Sequence, residues 1–400
     1  MLGAPRTSLP FPAAMQASTP RILVLGAGRV GSAIVKDLAR DETLRVDVAD
    51  LDPERAKVLP SSATFHAVNL RDAGALQSLV EPFDLVIGAV PGWMGFETVR
   101  TVLQCGKNVV DISFFEEDPY ELHDLAQERG LTCVVDCGVA PGLSNLFLGR
   151  LQEEFDSMDA FLCYVGGLPQ EPKAPWNYKA PYSPTDVIEM YTRPARLVRE
   201  GQVITMPALT ESEMLEFPDV GALEAFNTDG LRTLLRCEGI PDLREKTLRY
   251  PGHRLQVEAL AASGFFDDER EVNGETLRPR ELSAKLLMAE WFQGEKDYDV
   301  TVMRLVAEGK IGGRALRRTY DLIDYADREG AVSSMARTTG YPCTAVARLV
   351  LAGRLQTKGI VPPETIGKDK DLFDAVMDEL AKRDVTFQLH EEDLPEAVRS

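Results

Sequence analysis

Three glycines follow a short apolar run near the start of the chain. Gly26, Gly28 and Gly31 are spaced G-x-G-x-x-G, and apolar residues at helical spacing come after them. In this pattern the first glycine permits a sharp turn, the second lets a pyrophosphate approach the backbone, and the third lets helix and strand pack closely. The free N–H groups and positive dipole end of the following helix attract phosphate. The stretch predicts a dinucleotide-binding turn, with Arg29 and Val30 opening its helix.

A carboxylate follows at the position that reads the ribose of such a cofactor. Asp50 ends the second predicted strand, about 20 residues past the last glycine, where it can accept hydrogen bonds from ribose hydroxyls. A carboxylate repels a 2′-phosphate, and the next residue is Leu51 rather than arginine, so the sequence favours NAD over NADP. Arg55 is the nearby feature that suits NADP instead. In this context a glycine turn without a ligand is the less favoured interpretation.

Polar or turn-forming residues stand at the carboxyl ends of the later predicted strands, where parallel sheets bind ligands. Asn69 and Leu70 follow the third predicted strand, near the place of the adenine. Val90 and Pro91 end the fourth strand. Asp111 ends the fifth, and capping of a nearby turn is an equally good interpretation of it. These residues complete the predicted cofactor contacts.

Strands and helices alternate between residues 21 and 136, which predicts a doubly wound parallel sheet of the Rossmann type. Beyond residue 138, strands recur without regular helices between them, which predicts an α+β second domain with a mainly antiparallel sheet. The predicted fold class is therefore α/β with an α+β second domain. The predicted divisions are a disordered tail (1–20), an NAD-binding domain (21–140), a substrate and dimerisation domain (141–338) and a segment that returns to the nucleotide domain (339–390).

Shorter patterns predict individual elements of the second domain and of the returning segment. A proline-flanked loop over residues 172–184 has no regular period, and loops of this length in compact domains are usually functional. The other local predictions are a single strand over 196–203, a helix over 230–237 capped by Thr228 or Asp229, a buried helix starting at 339–343, and a last strand over 385–389 with a solvated tail from 391.

Composition narrows the classes of partner. A formal net charge of −19 argues against nucleic acid and against an anionic membrane surface, and no run approaches the ~20 apolar residues of a transmembrane helix. The 6 cysteines are scattered without a C-x-x-C pair, which favours reduced thiols in a cytoplasmic protein. The 4 histidines lack metal-ligand spacing with one another, so no metal site is predicted.

Several motifs outside the glycine turn share one pattern. They are Val-Asp-Ile-Ser-Phe (110–114), Gly-Val-Ala-Pro-Gly-Leu-Ser-Asn (138–145), Gly-Gly-Leu-Pro (166–169), Phe-Asn-Thr-Asp-Gly-Leu (226–231), Thr-Leu-Arg-Tyr-Pro-Gly-His (247–253) and Thr-Gly-Tyr-Pro-Cys (339–343). With the glycine turn, Asp50 and the end of the fourth strand, they resemble the saccharopine dehydrogenase family over roughly residues 21–385. In that family a G-[LV]-x-P-G turn follows the nucleotide domain and lines the substrate cleft, which implies the same role for residues 138–142.

The resemblance implies an oxidoreductase that acts on an amine. The chain is most similar to the members that use NAD to oxidise the ε-amine of L-lysine to 2-aminoadipate 6-semialdehyde, which cyclises to piperideine-6-carboxylate, with release of ammonia. Members that form or cleave saccharopine or carboxynorspermidine resemble it less, since they tend to take NADP and lack an acid at the ribose position. A non-catalytic nucleotide-binding protein is the third interpretation. The family also implies a homodimer and a small amino-acid substrate.

Removing a hydride from the carbon next to an amine requires a neutral amine, so a base is needed. Glu116, Asp136 and His253 are the predicted catalytic groups. Glu116 follows the fifth predicted strand, Asp136 ends the sixth, and His253 could relay a proton near neutral pH. A turn-capping carboxylate and a structural histidine are the alternative interpretations of Asp136 and His253. The sequence does not choose among the three.

The substrate carboxylate requires a cation, for which arginine has the best geometry. Arg249 is the predicted partner, and Tyr250 belongs to the same polar group. The other predicted substrate contacts are Phe114 after the fifth strand, Tyr178 and Lys179 on the proline-flanked loop, and Asp229. The alternatives are core packing for Phe114, a solvated side chain for Lys179, a helix cap for Asp229 and a surface strand position for Arg249.

Overall fold

The computed structural model describes residues 19–180, 184–294 and 297–395. Apart from residues 19 and 20, the predicted disordered tail lies outside the described residues. Within the described ranges, no helix is long and apolar enough to cross a membrane. The chain forms a parallel sheet and a mainly antiparallel sheet, which confirms the predicted fold class.

The parallel sheet is built from strands that alternate with helices. Its elements are β1 (Arg21–Leu25), α1 (Arg29–Leu38), β2 (Arg45–Asp50), β3 (Thr64–Ala67), α2 (Ala73–Val80), β4 (Leu85–Gly88), α3 (Gly92–Gln104), β5 (Asn108–Asp111), α4 (His123–Glu128) and β6 (Thr132–Val134), with 3₁₀ turns at Pro53–Val58 and Pro119–Leu122. The strand order is β6-β5-β4-β1-β2-β3. The winding reverses between β1 and β4, and this switch point opens a crevice at the carboxyl edge of the sheet.

The central strand β1 is covered on both faces, which explains its apolar sequence. Ile22 and Val24 belong to a hydrophobic cluster that continues through Phe147 and Met303, far along the chain. Leu23 and Leu25 belong to the cluster on the opposite face of the sheet. Because one cluster extends from the parallel sheet into the rest of the molecule, the carboxyl edge has a fixed position relative to the antiparallel sheet.

The antiparallel sheet follows in the sequence. Its region contains α5 (Leu143–Glu154), β7 (Ser157–Pro169), α6 (Pro184–Thr192), β8 (Ala195–Arg199), β9 (Gln202–Met206), β10 (Glu213–Phe217), β11 (Gly221–Asn227), a 3₁₀ turn (Arg232–Arg236), β12 (Asp242–Arg249), α7 (His253–Ala262), β13 (Arg270–Val272), β14 (Glu275–Leu277), α8 (Pro279–Trp291), β15 (Asp299–Ile311) and β16 (Arg314–Tyr325). The main path runs β10-β11-β12-β7-β15-β16, with β8 beside β12 and β9 beside β8. β12 and β7 are parallel, and the other pairs are antiparallel.

The C-terminal segment ties the two sheets together. It contains α9 (Ser334–Leu351), β17 (Gly359–Val361), α10 (Pro363–Lys368), α11 (Lys370–Ala381) and β18 (Gln388–Asp393). β17 pairs in parallel with β6, and β18 pairs antiparallel with β16. The four-part division of the chain into domains stays a prediction.

The prediction that a buried helix starts at residues 339–343 is wrong, because α9 begins before this stretch and continues through Pro342. The hydroxyl of Ser333 caps its first turn instead. Gly340 has a different use, since a Cβ there would lie 3.1 Å from Cγ1 of Ile34. The glycine therefore lets α9 approach α1 closely rather than opening a helix.

The predicted single strand over residues 196–203 is a hairpin made of β8 and β9. Glu200 and Gly201 join the two strands with φ angles of 53° and 74°. Two adjacent residues of positive φ form the tight turn whose twist matches that of antiparallel strands. The residues on both sides of the turn have a composition typical of strands, so the sequence alone does not reveal the turn between them.

The predicted end of the chain is also shifted. The last strand is β18 rather than residues 385–389, and it includes part of the predicted solvated tail. Glu391 pairs with Arg318 of β16 at 2.8 Å, so charges facing a neighbouring strand hold this edge strand. Residues 396–400 of the predicted tail lie outside the described residues.

A buried carboxylate joins α1 to the C-terminal segment. Asp37 is 1% exposed and pairs with Arg348 of α9 at 3.0 Å and with Arg383, which follows α11. Burial alone would raise the pKa of Asp37, but the two guanidinium groups outweigh it and hold the pKa below its usual value of 3.8. The helix that carries the glycine turn is thereby fixed to α9 and α11.

Replacing this carboxylate should destabilise the protein. In Asp37→Asn two guanidinium groups lose a buried counter-charge and keep Glu379 as an anionic partner, and the free energy of unfolding should fall by about 3–5 kcal/mol at pH 7. The folded pKa is lowered, so the stabilisation is present above the unfolded value of 3.8 and disappears as the pH falls through the folded value. Urea unfolding at pH 7 and in acid should show the difference between wild type and variant shrinking in acid.

The matched control is Asp378→Asn, at an exposed position of α11, which should change stability by less than about 0.5 kcal/mol. Equal unfolding free energies for Asp37→Asn and wild type at pH 7 would contradict the role of the ion pairs.

Candidate active site

The three glycines of the turn have the separate geometries that a dinucleotide requires. Gly26 has a φ of +102°, and a Cβ there would lie 2.4 Å from the carbonyl oxygen of Ala89. A Cβ on Gly31 would lie 2.0 Å from the carbonyl oxygen of Gly26, so α1 and the turn are in close contact. A Cβ on Gly28 would have no protein atom within 4 Å. The space beside Gly28 is the approach that a pyrophosphate would use, and the turn fits the cofactor.

Asp50 is held beside this turn. Its Oδ2 accepts a hydrogen bond from the backbone N–H of Ala27 at 2.7 Å, and its Oδ1 accepts one from Asp52 N–H at 3.0 Å. The carboxylate is half-buried and keeps lone pairs for ribose hydroxyls. Leu51 beside it is 68% exposed, and Arg55 lies 3.6 Å from the Asp52 carboxylate. The predicted ribose position therefore carries a fixed negative charge.

Arg29 connects the glycine turn to the other end of the molecule. Its Nη1 donates to Oε1 of Gln293 at 2.7 Å, and its Nη2 donates to the carbonyl of the same residue. The guanidinium carbon lies 5.6 Å from the centroid of the Phe292 ring. Burial lowers the pKa of Arg29, and nearby Asp299 opposes this effect. The Arg29 side chain, which was predicted to contact the cofactor, is hydrogen-bonded to Gln293 in the segment after α8. Val30 is half-buried and packs against the hydrophobic core.

The outer end of the crevice has an exposed aromatic ring that the sequence analysis missed. Asn69 is exposed, and its Oδ1 accepts the N–H of Arg71, while Leu70 packs against the core. The Arg71 guanidinium lies 5.4 Å from the ring centroid of Trp93, whose side chain is 66% exposed. Trp93 stands two residues after the Val-Pro edge, and that position is the signal that could have identified it.

The loops after β4 and β5 touch each other at the crevice. Val90 is buried, and Pro91 is exposed and precedes the first residue of α3. A Cβ on Gly92 would lie 2.3 Å from the carbonyl oxygen of Phe114. This close approach fixes the exposed Phe114 ring at the carboxyl edge, where the sequence placed it.

The prediction that Asp111 faces the crevice is wrong. Its side chain is fully buried and accepts hydrogen bonds from the N–H of Ser113 at 2.8 Å and from its hydroxyl at 2.9 Å. Burial raises the pKa of Asp111 to about 8, against the lowering effect of these hydrogen bonds. A Cβ on Gly88 would lie 1.8 Å from its Oδ2, so the carboxyl group lies across β4 and the turn-capping alternative describes it.

Asp136 is part of a buried ion pair. Both of its oxygens accept hydrogen bonds from Arg232, at 3.0–3.2 Å, and the two residues are 2% and 9% exposed. Each has a φ of 53°, a strained conformation for residues with side chains. The carboxylate therefore faces Arg232 rather than the open crevice. No local sequence pattern marks Arg232, since the two partners are far apart in the chain.

Two guanidinium groups lie around the exposed Phe114 ring. The guanidinium carbons of Arg232 and Arg193 lie 4.7 Å and 5.8 Å from its centroid. Glu116 is exposed, and within the described part of the chain its carboxylate has no ion pair or hydrogen bond. Of the predicted catalytic groups, Glu116 is the one whose carboxylate is exposed at the carboxyl edge of the parallel sheet.

A directed chain of hydrogen bonds holds Arg249. Its Nε donates to the hydroxyl of Tyr191 at 2.9 Å, which donates to Nε2 of His253 at 2.9 Å, whose Nδ1 donates to the carbonyl of Trp176 at 3.0 Å. Burial and the charge of Arg249 lower the pKa of His253 to about 3, against the opposing hydrogen bond to Trp176. His253 is therefore neutral near pH 7 and its prediction as a proton relay is wrong.

Arg249 does not present an open cation to a ligand either. It is 3% exposed, its Nη1 donates to the carbonyl of Leu248 at 2.8 Å, and its guanidinium carbon lies 4.7 Å from the Tyr178 ring centroid. The buried Tyr178 ring thus has Arg249 behind it. Tyr250 donates its hydroxyl to the carbonyl of Pro169 at 3.0 Å, which ties β12 to the end of β7.

The predicted helix over residues 230–237 is a 3₁₀ turn (Arg232–Arg236), and the capping alternative for Asp229 is wrong. Its carboxylate is 7% exposed and pairs with the Arg196 guanidinium at 2.8 Å, and the 3₁₀ turn that follows has no side-chain cap. Thr228 instead donates to Glu245 at 2.7 Å. Burial raises the pKa of Glu245 to about 8, against the lowering effect of Thr228. Lys179, by contrast, is half-exposed and donates to the carbonyl of Glu290 at 2.9 Å.

Two family descriptions match the chain. Residues 22–134 match the saccharopine dehydrogenase NADP binding domain, and residues 138–385 match the saccharopine dehydrogenase C-terminal domain. The boundary between the two matches falls at the strained stretch around Asp136.

Named relatives agree with these matches. The mitochondrial alpha-aminoadipic semialdehyde synthase of Mus musculus is 22% identical over 92% of this chain and 47% of its own length, so the chain spans about half of that relative. The saccharopine dehydrogenase [NADP(+), L-glutamate-forming] of Schizosaccharomyces pombe is 24% identical over 92% of this chain and 98% of its own length.

A solved structure shares the fold. Apo histidine-tagged saccharopine dehydrogenase (L-Glu forming) from Saccharomyces cerevisiae superposes with a TM-score of 0.77 at 21% identity, covering 94% of this chain and 100% of that one. The family resemblance predicted from the motifs is confirmed. From the two family matches, which together cover most of the residues from 22 to 385, the chain belongs to the saccharopine dehydrogenase family.

Proposed function

We propose that this chain is an NAD-dependent dehydrogenase that removes a hydride from the ε-carbon of L-lysine. Water adds to the resulting iminium, ammonia leaves, and the product is 2-aminoadipate 6-semialdehyde, which cyclises to piperideine-6-carboxylate. The observation that carries the proposal is the Asp50 carboxylate, fixed beside an open glycine turn in a chain of this family.

The charge at the ribose position supports NAD rather than NADP. The matched domain is described as NADP binding, and the S. pombe relative is named for NADP(+). A 2′-phosphate here would meet the carboxylate of Asp50, which is held in place by two backbone N–H groups. Arg55, the nearby cation, already lies beside the Asp52 carboxylate. The local charge thus favours free ribose hydroxyls.

The chain's own residues then supply binding and proton transfer. When bound, the nicotinamide supplies the hydride acceptor. A protonated amine cannot lose a hydride from its neighbouring carbon, so Glu116 is the proposed base that takes the proton first. The Asp136 carboxylate is ion-paired with Arg232, and both ring nitrogens of the neutral His253 are hydrogen-bonded. The exposed Glu116 carboxylate, two residues after Phe114, is therefore the best placed of the predicted catalytic groups.

Oxidation of saccharopine is the second candidate, and the relatives' names favour it. The S. pombe protein is named for forming L-glutamate from saccharopine, and the mouse protein for synthesis of alpha-aminoadipic semialdehyde. Both candidate reactions oxidise the same carbon of a lysine unit and leave the same semialdehyde. They differ in the departing amine, which is ammonia from lysine and glutamate from saccharopine.

The homodimer implied by the family and the cytoplasmic location stay predictions. Light scattering of the purified chain would give the oligomeric state.

The activity is tested by following NADH formation with L-lysine, saccharopine or carboxynorspermidine as substrate. NADH formed with lysine and NAD supports the proposal, and NADH formed with saccharopine alone supports the second candidate. No reduction of NAD or NADP with any amine contradicts both. Gly28→Ala is the control, since its added Cβ meets no protein atom but fills the pyrophosphate approach. It should fold normally, as judged by circular dichroism, and lose NAD binding.

Removing the charge at the ribose position should change the cofactor preference. Asp50→Asn keeps a hydrogen-bond acceptor but loses the negative charge. The value of kcat/KM for NAD should fall by about tenfold or more, as expected for loss of a charged hydrogen-bond partner, and the NAD:NADP ratio of kcat/KM should fall with it. Asp124→Asn, at an exposed position of α4, is the matched control. An unchanged ratio in Asp50→Asn would show that this residue does not read the ribose.

Removing the proposed base should lower turnover without removing cofactor binding. Glu116→Gln should reduce kcat by about 10²–10⁴-fold, the range for loss of a general base, while the dissociation constant for NADH, measured by fluorescence, stays the same. Glu117→Gln changes the neighbouring exposed carboxylate and should keep kcat within about threefold of wild type. Comparable kcat values for Glu116→Gln and wild type would rule Glu116 out as the base.

A further inference from the structure

A buried glutamine after α8 holds the arginine of the glycine turn. Gln293 is 5% exposed, and its Oε1 accepts a hydrogen bond from Nη1 of Arg29 at 2.7 Å. Its backbone carbonyl accepts a second bond, from Nη2 of the same guanidinium. The Nε2 of Gln293 donates to the carbonyl of Asp297 at 2.8 Å. This last bond fixes which end of the Gln293 amide faces Arg29, so the glutamine orients the guanidinium.

The positive charge of Arg29 is not neutralised by the protein. The residue opens α1 and is half-buried. Among the residues that the structure describes, Arg29 forms no ion pair. Burial lowers the pKa of Arg29, nearby Asp299 opposes this effect, and the charge of Arg55 adds to it. A half-buried cation near a second cation favours the binding of an anion that would supply its counter-charge.

The glycine turn gives an anion access to this charge. Gly28 directly precedes Arg29, and the open space beside it is the approach that a pyrophosphate would use. A guanidinium has more N–H donors than the two bonds to Gln293 require, and its planar fork suits phosphate oxygens. Arg29 can therefore bind a pyrophosphate without giving up Gln293.

The residues just before Gln293 hold the proline-flanked loop. The backbone N–H of Ala180 donates to the carbonyl of Trp291 at 2.8 Å, and Lys179 donates to the carbonyl that precedes Trp291 in the chain. The rings of Tyr178 and the fully buried Trp291 meet edge to face, with centroids 5.3 Å apart. Through Gln293, the glycine turn is thus connected to the loop that carries two of the predicted substrate contacts.

We propose that Gln293 is a positioning residue for the dinucleotide, holding the Arg29 guanidinium where the pyrophosphate supplies its counter-charge. Binding of the dinucleotide and docking of residues 290–293 on the glycine turn then stabilise each other, because both use the same guanidinium. Such a coupling is reciprocal. The inference rests on the dinucleotide site of the proposed function and goes beyond it, since it makes the order of the loop around Tyr178 depend on the cofactor.

Calorimetry with ligand fragments tests the role of the guanidinium without turnover. NAD, and NADP in parallel, are titrated into wild type, Arg29→Met and Gln293→Leu. The affinity should fall by at least about tenfold in Arg29→Met, which loses a charged partner, and by about three- to tenfold in Gln293→Leu, which loses one hydrogen bond to a charged group. Adenosine lacks the pyrophosphate, so neither variant should change its affinity.

The matched control is Arg45→Met, which removes an exposed arginine at the amino end of β2, the opposite edge of the sheet from the glycine turn. It should bind NAD like wild type. Circular dichroism and thermal unfolding check the folding of each variant. Because Gln293 is buried and Arg29 is only half-buried, Arg29→Met keeps the test decisive even if Gln293→Leu does not fold.

Hydrogen–deuterium exchange of the full chain tests the coupling. The N–H of Ala180, bonded to Trp291, and the N–H of Gly294, bonded to the Asp297 carboxylate at 2.9 Å, report on the docked residues. Saturating NAD should slow exchange in peptides that contain Ala180 or Gly294 in wild type, and this slowing should be lost in Arg29→Met and Gln293→Leu.

The outcomes separate this inference from the proposed reaction. If no amine yields NADH but the binding and exchange patterns hold, the reaction is contradicted and the role of Gln293 is supported. Wild-type affinity for NAD in both variants, equal slowing of exchange in variants and wild type, or equal weakening of NAD and adenosine would overturn the role of Gln293. Absence of NAD and NADP binding to wild type would overturn it too.

Discussion

The buried ion pair between Asp136 and Arg232 is the constraint on which the geometry of the crevice depends. It joins the end of β6 to the turn after β11, at the boundary of the two family matches, and both residues have left-handed backbone conformations. A buried charge that loses its partner destabilises the protein, so separating the two elements would cost free energy. The same guanidinium also donates to the carbonyl of Phe115 and lies over the Phe114 ring. The carboxyl edge of the parallel sheet and the antiparallel sheet therefore hold one relative position.

Burial decides which titratable groups are available for chemistry. Asp111 and Glu245 are buried carboxyl groups with raised pKa values, and His253 is a buried imidazole with a lowered one. In each case the low dielectric of the interior disfavours the charged form. These groups organise hydrogen bonds, and the exposed carboxylate of Glu116 is left beside the crevice. Several polar residues that the sequence predicts as site residues are therefore buried and make structural hydrogen bonds or ion pairs.

The two family matches are connected through Arg29. Its guanidinium binds Gln293, and Gln293 donates to the backbone carbonyl of Asp297. The helix that follows the glycine turn is thus bonded to the segment that precedes β15. The S. pombe relative is named for NADP(+) and saccharopine, whereas the ribose position of this chain carries the Asp50 carboxylate, held by two backbone N–H groups.

The sequence by itself determined the features that depend on neighbouring residues. The glycine turn, the acid at the end of β2 and the alternation of strands and helices follow from local backbone preference and side-chain period, and the motifs identified the family. The tertiary structure alone decided which polar and charged side chains meet. Arg29 meets Gln293, Asp136 meets Arg232 and Asp229 meets Arg196 across long stretches of chain, and no local pattern encodes such pairings. Because a buried charge is stable only with its partner, these distant contacts determined which predicted site residues are structural and which remain open to a ligand.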